Sequence, residues 1–344
     1  MPNKRLSLTV DPSPIIDILL MPYATNALSA AIIELDLFSK LFNAPSTFYE
    51  IRQMTDLQER PLRILLNAFL IFNLLKKEED RYHLTMLSET FLVKGNPFYL
   101  GESVLGLLKN PITYENFIAS VQTGKPTIYD TNDIFEVHKG DDDKALMFTK
   151  AMHIKSLMTG SSIVKQFDFS NCNQIVDIGG GSGGISLSIA EYFPKIHAAV
   201  FDLPQICNIA DKYILESGLA DRVTTIPGDM FQDDFSEKFP GNTDIVLFSR
   251  ILHDWPKGRC DLLLNKAWDV LPSKGIVIVI EALLCENQPQ RITPYLENLS
   301  MLLWTQGEQF SEKEIENLLS NAGFIDVRIF PILANYNIIT ACKP

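Results

Sequence analysis

A glycine-rich segment, residues 177–184, constrains the fold of this chain more than any other feature. It reads DIGGGSGG, follows the apolar run at residues 174–178 and precedes a stretch with helical spacing. Gly179, Gly181 and Gly184 satisfy the pattern GxGxxG, whose glycines allow a tight turn and let a ligand lie against the backbone near a helix N-terminus. A strand before the segment and a helix after it favour a nucleotide-type ligand over a simple turn.

Short β-rich apolar runs alternate with helical segments from residue 173 onward. This alternation predicts an α/β fold with a Rossmann-like parallel sheet that helices cover on both faces. Seven strands are expected, at residues 174–178, 198–201, 223–226, 244–248, 276–280, 325–330 and 336–342.

The first hundred residues have a mainly helical pattern instead. Apolar spacing predicts helices over residues 15–42, 47–55 and 59–75, and a charged turn at 76–80 leads into a short strand at 81–85. Two helices followed by a small hairpin are typical of a winged-helix module. Because the module has no basic excess and the chain carries a net charge of −12, we expect packing or dimerisation and no nucleic-acid partner.

Residues 101–170 are predicted to be a helical connector, in which turn formers at residues 130–143 indicate a loop. The longest strongly apolar stretch, residues 64–75, is too short and too polar to span a bilayer, so no membrane partner is expected. The five cysteines are odd in number and lack CxxC spacing. They argue against a disulfide framework and fit a cytoplasmic location.

Polar residues follow the second and third strands at one edge of the predicted sheet. Asp202 can accept both ribose hydroxyls of an adenosine. Asp229, with Met230 beside it, suits an adenine ring. Simpler interpretations exist, a helix N-cap for Asp202 and a β-turn at residues 228–229. Because ligands of open α/β sheets bind beyond the carboxyl ends of the strands, the coincidence of several such positions favours a ligand site.

The fourth and fifth strands are followed by titratable residues. Residues 249–256, SRILHDWP, place His253 at the ligand-binding edge, where an imidazole can act as a general base. Glu281 follows a very apolar strand, where a carboxylate is costly unless it is paired or hydrated. Asp254 is expected to cap the next helix, and Trp255 is expected to pack.

Taken together, the motifs DIGGGSGG, FDLP, GDMF, LHDW and IEALL occur in the order and spacing of a known family. The chain resembles class I S-adenosylmethionine-dependent O-methyltransferases of the caffeate and acetylserotonin (hydroxyindole) type over nearly its whole length. The resemblance implies a winged-helix dimerisation domain at residues 1–100, a connector at 101–170 that contributes to the substrate pocket, and a cofactor-binding catalytic domain at 171–344. It further implies a homodimer, a small hydroxylated aromatic substrate and S-adenosylhomocysteine as product. No metal is expected, because the sequence has no carboxylate–histidine cluster that would bind one.

The resemblance also implies roles for individual residues. His253 is the expected base and Glu281 the acid that orients it. Glu308 is a candidate for the family's second acid, because Gln309 occupies that acid's position. The cofactor is expected to contact Gly179, Gly181, Asp202, Leu203, Asp229, Met230, Ser249 and Ser156. Plant members carry Lys at the position of Ser249, so this contact differs. The substrate is expected to contact Phe148, Met152, Asn298 and Met301.

Three alternatives stay open at this point. An enzyme of the same fold can methylate carbon or nitrogen, although it need not keep the histidine of the HDW motif. The glycine pattern with Asp202 also suits an NAD-dependent oxidoreductase, against which the GDMF and HDW motifs and the N-terminal module argue. The intact set of cofactor residues and His253 disfavours a non-catalytic ligand-binding protein.

Overall fold

The computed structural model describes residues 10–128, 134–285 and 291–344 of the chain. Its contacts divide the chain into two compact units, Met1–Leu105 and Gly106–Pro344. The first is mainly helical, and the second contains a large sheet with helices around it.

The first unit combines helices with a small sheet. Its helices are α1 (Ser13–Ile33), α2 (Leu37–Asn43), α3 (Phe48–Thr55), α4 (Glu59–Ile71), α5 (Met86–Phe91) and the start of α6 (Gly101–Lys109). Three antiparallel strands lie in the order β1-β3-β2, with bounds β1 (Ser46–Thr47), β2 (Leu75–Glu78) and β3 (Arg81–Leu84). The predicted succession of helix, helix and hairpin is confirmed. The helix expected over residues 59–75 ends at Ile71, and most of the charged turn expected at 76–80 is strand, because residues 75–78 pair with β3.

Local chemistry explains where these helices begin and end. The single helix expected over residues 15–42 is wrong: Asp36 has a φ of +47° and separates α1 from α2. Thr47 caps α3, because its hydroxyl accepts the Glu50 N–H while the Glu50 carboxylate accepts the Thr47 N–H.

The helix α1 is long and apolar but poorly covered. It has 21 residues with a mean hydropathy of 1.5 in its most apolar window, 17% of which is buried, so its length and composition alone would let it cross a membrane. The prediction that residues 64–75 are the longest strongly apolar stretch is therefore wrong. Asp17 and Pro22 interrupt the apolar run of α1, but the window average stays high. A helix covered by a second protein surface has the same composition.

The second unit contains the predicted α/β domain. Its helices are α7 (Tyr114–Thr123), α8 (Ile134–Gly140), α9 (Asp142–Gln166), α10 (Gly184–Tyr192), α11 (Pro204–Ser217), α12 (Phe235–Lys238), α13 (Lys257–Val270), α14 (Thr293–Trp304) and α15 (Glu312–Asn321). Its strands are β4 (Gln174–Ile178), β5 (His197–Asp202), β6 (Val223–Pro227), β7 (Ile245–Ser249), β8 (Ile276–Glu281), β9 (Ile325–Pro331) and β10 (Asn337–Cys342).

The helix α8 corrects the loop expected at residues 130–143, of which 130–133 lie outside the described residues. Its aromatic side chains give it a buried face that turn propensity does not reveal. Phe135 lies 5.3 Å from the Trp255 ring, and the His138 ring lies 5.0 Å from that of Phe148. Tertiary packing therefore outweighs the turn formers.

The seven strands form one sheet in the order β6-β5-β4-β7-β8-β10-β9. The expected Rossmann-like sheet is confirmed, and the first five strands in this order are parallel, whereas β10 is antiparallel to both β8 and β9. A short turn at Leu333–Asn335 joins β9 to β10, and only antiparallel strands can be joined so tightly.

The strand order reverses at β4, because β5 and β6 lie on one side of it and β7 and β8 lie on the other. Such a reversal opens a crevice at the carboxyl ends of the strands. The strands β4 and β8 are buried along almost their whole length, as their continuous apolar runs require. The sheet therefore gives the crevice a rigid floor.

Candidate active site

The glycine-rich loop forms a backbone cradle after β4. Gly179 and Gly181 have φ values of +63° and +59°, which other residues rarely adopt. A Cβ on Gly179 would lie 2.4 Å from Ile251 Cδ1, whereas the Cβ position of Gly181 has no heavy atom within 4 Å. The loop can therefore accept a ligand directly against its backbone at Gly181.

Asp202 joins this loop to the start of α11. Its two carboxylate oxygens accept the N–H of Gly181 at 2.9 Å and that of Leu203 at 2.7 Å. Burial raises the pKa of Asp202 to about 6, against the effect of these two hydrogen bonds. Leu203, not Asp202, is the N-cap residue of α11. A carboxylate has about four acceptor positions, so capacity for ribose hydroxyls remains.

Asp229 lies beyond β6, in a turn. Its Oδ1 accepts the Phe231 N–H at 2.9 Å, and its Oδ2 lies 2.9 Å from Lys139 Nζ of α8. Burial opposes ionisation, but the Lys139 ammonium and the Phe231 N–H outweigh it and hold the pKa of Asp229 below its usual value. The turn expected at residues 228–229 is present, and Asp229 in this turn is also an ionised hydrogen-bond acceptor. Met230, next to Asp229, is half-buried against the core.

Lys266 of α13 forms hydrogen bonds to the backbone of this turn. Its ammonium donates to the carbonyl oxygens of Met230, Phe231 and Asp233 at distances of 3.0, 2.9 and 2.9 Å. Sequence reasoning missed Lys266, because only the fold brings α13 under the turn after β6.

We expect Lys266→Met to weaken binding of S-adenosylhomocysteine about tenfold. Loss of the ammonium leaves three carbonyl oxygens without their donor and loosens the turn that presents Asp229, and a hydrogen bond to a charged group contributes about 1.5–3 kcal/mol. Calorimetry with S-adenosylhomocysteine measures the effect. Lys274→Met, which changes a lysine elsewhere in the same unit, is the control, and an unchanged affinity in Lys266→Met would contradict this role.

His253 and Glu281 meet because their strands are neighbours. His253 lies in a short 3-10 turn after β7, and Glu281 ends the adjacent strand β8. His253 Nδ1 is 2.6 Å from Glu281 Oε2, and the His253 backbone N–H donates to Glu281 Oε1 at 3.3 Å. Both side chains are buried. A buried carboxylate at the end of an apolar strand is costly unless it is paired or hydrated. Glu281 is paired with His253.

A second carboxylate lies near the other ring nitrogen. His253 Nε2 is 3.5 Å from Asp254 Oδ1. Burial lowers the pKa of His253, but the charges of Glu281 and Asp254 outweigh it and raise the pKa to about 9. The expectation that Asp254 caps the next helix is wrong, because α13 begins at Lys257 and its cap residue is Pro256.

Gln309, and not Glu308, reaches the histidine. Gln309 Nε2 is 3.3 Å from His253 Nδ1, and Asn298 Oδ1 accepts the Gln309 N–H at 2.9 Å. Glu308 is exposed and lines a cavity of about 750 Å³ beside Trp255. The structure therefore brings His253, Glu281, Gln309 and Asn298 together but leaves Glu308 outside this group.

Arg250 is a further residue that sequence reasoning passed over. It follows β7 with a φ of +54°, and its Nη2 donates to Ser156 Oγ of α9 at 3.2 Å. Among the described residues, Arg250 Nη1 and Ser249 Oγ are buried without a hydrogen-bond partner. Unpaired buried donors are rare, and two at consecutive residues after β7 are suited to an acidic ligand group. The sequence signal that could have identified Arg250 is its position directly after the fourth strand of the sheet, at the ligand-binding edge.

The remaining candidate residues lie on α9 and α14. Phe148 and Met152 are half-buried on α9, where Phe148 contacts Phe135 and His138 of α8. Met301 Sδ accepts the Thr305 hydroxyl at 3.4 Å. These contacts are mostly apolar. In the part of the chain that the structure describes, no group of three or more His, Cys, Asp or Glu side chains could hold a metal ion.

Comparison with known proteins identifies this arrangement. The family profile of the O-methyltransferase domain matches residues 114–325. The 3-hydroxy-5-methyl-1-naphthoate 3-O-methyltransferase of Streptomyces sahachiroi is 29% identical over 310 residues, which are 89% of this chain and 87% of that protein. The N,N-dimethyltransferase OxyT of Streptomyces rimosus is 27% identical over 330 residues, 94% of each chain.

A solved structure supports the same fold. The human N-acetylserotonin methyltransferase in complex with S-adenosylmethionine superposes with a TM-score of 0.82 and 24% identity, covering 98% of this chain and 99% of that one. The open cradle at Gly181 and the unpaired donors of Ser249 and Arg250 fit such a ligand. The NAD-dependent and non-catalytic alternatives are therefore set aside. The chain belongs to the S-adenosylmethionine-dependent O-methyltransferases.

Proposed function

We propose that this enzyme methylates a phenolic hydroxyl of a small aromatic molecule, with His253 as the general base. The buried His253–Glu281 pair, 2.6 Å apart at the carboxyl edge of the sheet, is the observation that supports this most directly. Glu281 occupies Nδ1, so Nε2 is the nitrogen that takes the acceptor's proton. Glu281 fixes the ring and stabilises its protonated form.

The cofactor lies, in this proposal, along the edge from Asp229 to Arg250. S-adenosylmethionine supplies a methyl group on a positively charged sulfur. Asp229 would accept from the adenine amine, Met230 would pack on the adenine ring, and Asp202 with Leu203 would hold the ribose. The loop at Gly179 and Gly181 takes the methionine part. Its carboxylate is suited to the free donors at residues 249–250, with Ser156 supporting Arg250.

Proton transfer to His253 is well matched to a phenol. A phenol has an ordinary pKa of about 10, and the pKa of His253 is raised to about 9 by Glu281 and Asp254 against the effect of burial. The raised pKa makes the neutral imidazole a stronger base than a free one and reduces the fraction of it that is neutral near pH 7. Alignment of the two reactants supplies much of the remaining acceleration.

An aromatic acceptor fits the apolar lining at Phe148, Met152 and Met301. One relative is named for a hydroxynaphthoate substrate, which has this chemistry. Another relative is named an N,N-dimethyltransferase, so nitrogen methylation is the second candidate. A neutral amine already carries a lone pair and needs no base, so His253 would be dispensable for it. The buried acid behind His253 therefore favours oxygen.

A panel of phenols and aromatic amines tests the proposal. The enzyme is mixed with S-adenosylmethionine and each acceptor, with and without EDTA, and the methylated product is identified by mass spectrometry. We expect O-methylated phenols in both conditions. Products from amines alone would favour the nitrogen reaction, and loss of activity in EDTA with recovery in magnesium would contradict metal independence.

We also propose that the enzyme is a homodimer formed through residues 1–100, and that residues 101–170 and 171–344 supply the substrate pocket and the cofactor site. The exposed apolar side chains of α1 support the dimer: they include Ile15, Ile18, Leu19, Met21 and Tyr23. An exposed apolar helix face of this size usually marks a surface that packs against another protein. All five cysteines are free thiols, which supports a cytoplasmic location.

We expect Leu19→Asp to produce a monomer at micromolar concentration. Leu19 is 69% exposed in the single chain. The substitution loses the burial of the leucine at the dimer interface, about 1.5–3 kcal/mol. It also places a charged carboxylate in that interface, which adds to the cost. Light scattering should give twice the 38.8 kDa chain mass for wild type. The control, Leu333→Asp, changes an equally exposed leucine (68%) on the β9–β10 turn and should leave the dimer intact. A monomeric wild type would contradict the proposal.

A further inference from the structure

Lys139 of α8 forms an ion pair with Asp229, the residue that the proposed function assigns to the adenine amine. Its ammonium lies 2.9 Å from Asp229 Oδ2 and 2.7 Å from Glu136 Oε1. Asp229 Oδ1 is already engaged by the Phe231 N–H. Oδ2 accepts no backbone N–H, so it is the oxygen better suited to a ligand amine, and the Lys139 ammonium lies against it.

The adenine amine and the Lys139 ammonium would both donate to Asp229 Oδ2, so each weakens the hold of the other on that oxygen. The exocyclic amine is a neutral donor, whereas the ammonium is a charged donor and binds a carboxylate more strongly. Lys139 is not buried: its side chain is 36% exposed and that of Asp229 is 23% exposed. An ion pair so accessible to water contributes little and is screened by salt, so a cofactor can displace it.

The contacts of α8 hold Lys139 in this position. Phe135 packs on the Trp255 ring at 5.3 Å, and the carbonyl oxygen of His138 accepts Gln205 Nε2 at 3.2 Å. The short helix is therefore attached both to the turn that carries His253 and to α11. Glu136, one turn before Lys139, offers the ammonium a second carboxylate when it leaves Asp229.

We propose that Lys139 competes with the cofactor's adenine for Asp229 and so sets the affinity for S-adenosylmethionine and S-adenosylhomocysteine. The Lys139 ammonium bridges Asp229 and Glu136, and cofactor binding would leave it with Glu136 alone. The competition weakens product binding and thereby favours release. This inference rests on the proposed role of Asp229 as adenine acceptor.

Two substitutions in α8 should change affinity in opposite directions. Lys139→Met removes the competitor, and calorimetry should show a dissociation constant for S-adenosylhomocysteine about threefold to fivefold lower than wild type. Lys139→Gln should act in the same direction. Glu136→Gln removes the alternative partner and commits the ammonium to Asp229, so the dissociation constant should rise about twofold.

Salt and a neighbouring lysine supply the controls. Raising the NaCl concentration to roughly 0.5 M should tighten binding to wild type by screening the ion pair, and it should change Lys139→Met far less. Lys144→Met alters another exposed lysine, which pairs with Asp141 at 3.2 Å, and should bind as wild type does. Thermal melting confirms that each variant is folded.

Asp229→Asn separates failure of this inference from failure of the site assignment. If Asp229 accepts the adenine amine, this variant binds S-adenosylhomocysteine at least about tenfold more weakly. Wild-type affinity in Asp229→Asn would overturn the adenine assignment and the competition with it. Weak binding in Asp229→Asn together with unchanged or weaker binding in both Lys139 variants would overturn the competition alone, as would tighter binding in Glu136→Gln.

Discussion

His253→Gln should lower kcat for a phenolic acceptor by about 10²–10⁴-fold, the usual range for loss of a general base. Gln keeps much of the volume of the imidazole but cannot take the acceptor's proton. The loss should appear in kcat, because the substitution removes an interaction that forms during the transfer. Single-turnover measurements at saturating phenol and S-adenosylmethionine give this number without interference from product release.

The affinity of His253→Gln for S-adenosylhomocysteine is the control. The polar contacts of the His253 side chain within the described residues are with Glu281, Asp254 and Gln309, so this affinity should stay within about twofold of wild type. Near-normal turnover with phenols would sink the oxygen-methylating mechanism and move the nitrogen reaction ahead.

Glu281→Gln should lower activity by about tenfold to a hundredfold and move the pH profile toward acid. In wild type, Glu281 and Asp254 raise the pKa of His253 against the effect of burial, so the neutral, proton-accepting imidazole accumulates only as pH rises through that raised value. The rate constant kcat/KM should therefore increase with pH up to about 9. Without the Glu281 charge the midpoint moves downward by at least about one unit.

The high-pH plateau of Glu281→Gln separates two effects of the carboxylate. A plateau below that of wild type reports loss of ring orientation, while the midpoint reports loss of charge. Glu308→Gln is the matched control: Glu308 is exposed, lies one residue from Gln309 and should be nearly silent. If Glu308→Gln were as harmful as Glu281→Gln, with a non-additive double variant, then Glu308 would act as the second acid.

Local sequence patterns were sufficient to locate the catalytic sheet and the residues at its edge. All seven strands lie within one or two residues of their predicted positions, and Gly179, Asp202, Asp229 and His253 follow four different strands. This agreement has a physical basis, because a strand buried on both faces must be a continuous apolar run, and polar residues reappear only where it ends.

Contacts between segments distant in the chain could not be obtained in this way. The helix α8 forms in a stretch of turn formers because Phe135 packs on Trp255, and Asp254 lies beside His253 Nε2 instead of capping α13. Lys266 and Lys139 reach the turn at Asp229 from two separate helices. Each of these positions depends on packing against residues far along the chain, which no local pattern encodes.

The sequence by itself therefore determined the α/β fold, the glycine-rich turn and the placing of a histidine and an acid at the ends of two strands, while their pairing was implied by the family resemblance. Only the tertiary structure decided that Gln309 and not Glu308 contacts His253, that Arg250 Nη1 and Ser249 Oγ are buried without a hydrogen-bond partner, and that Lys139 pairs with Asp229. Periodicity and strand ends are local properties of the chain. A distance of 3 Å between two side chains is a property of the packed whole, since it depends on every element that lies between them.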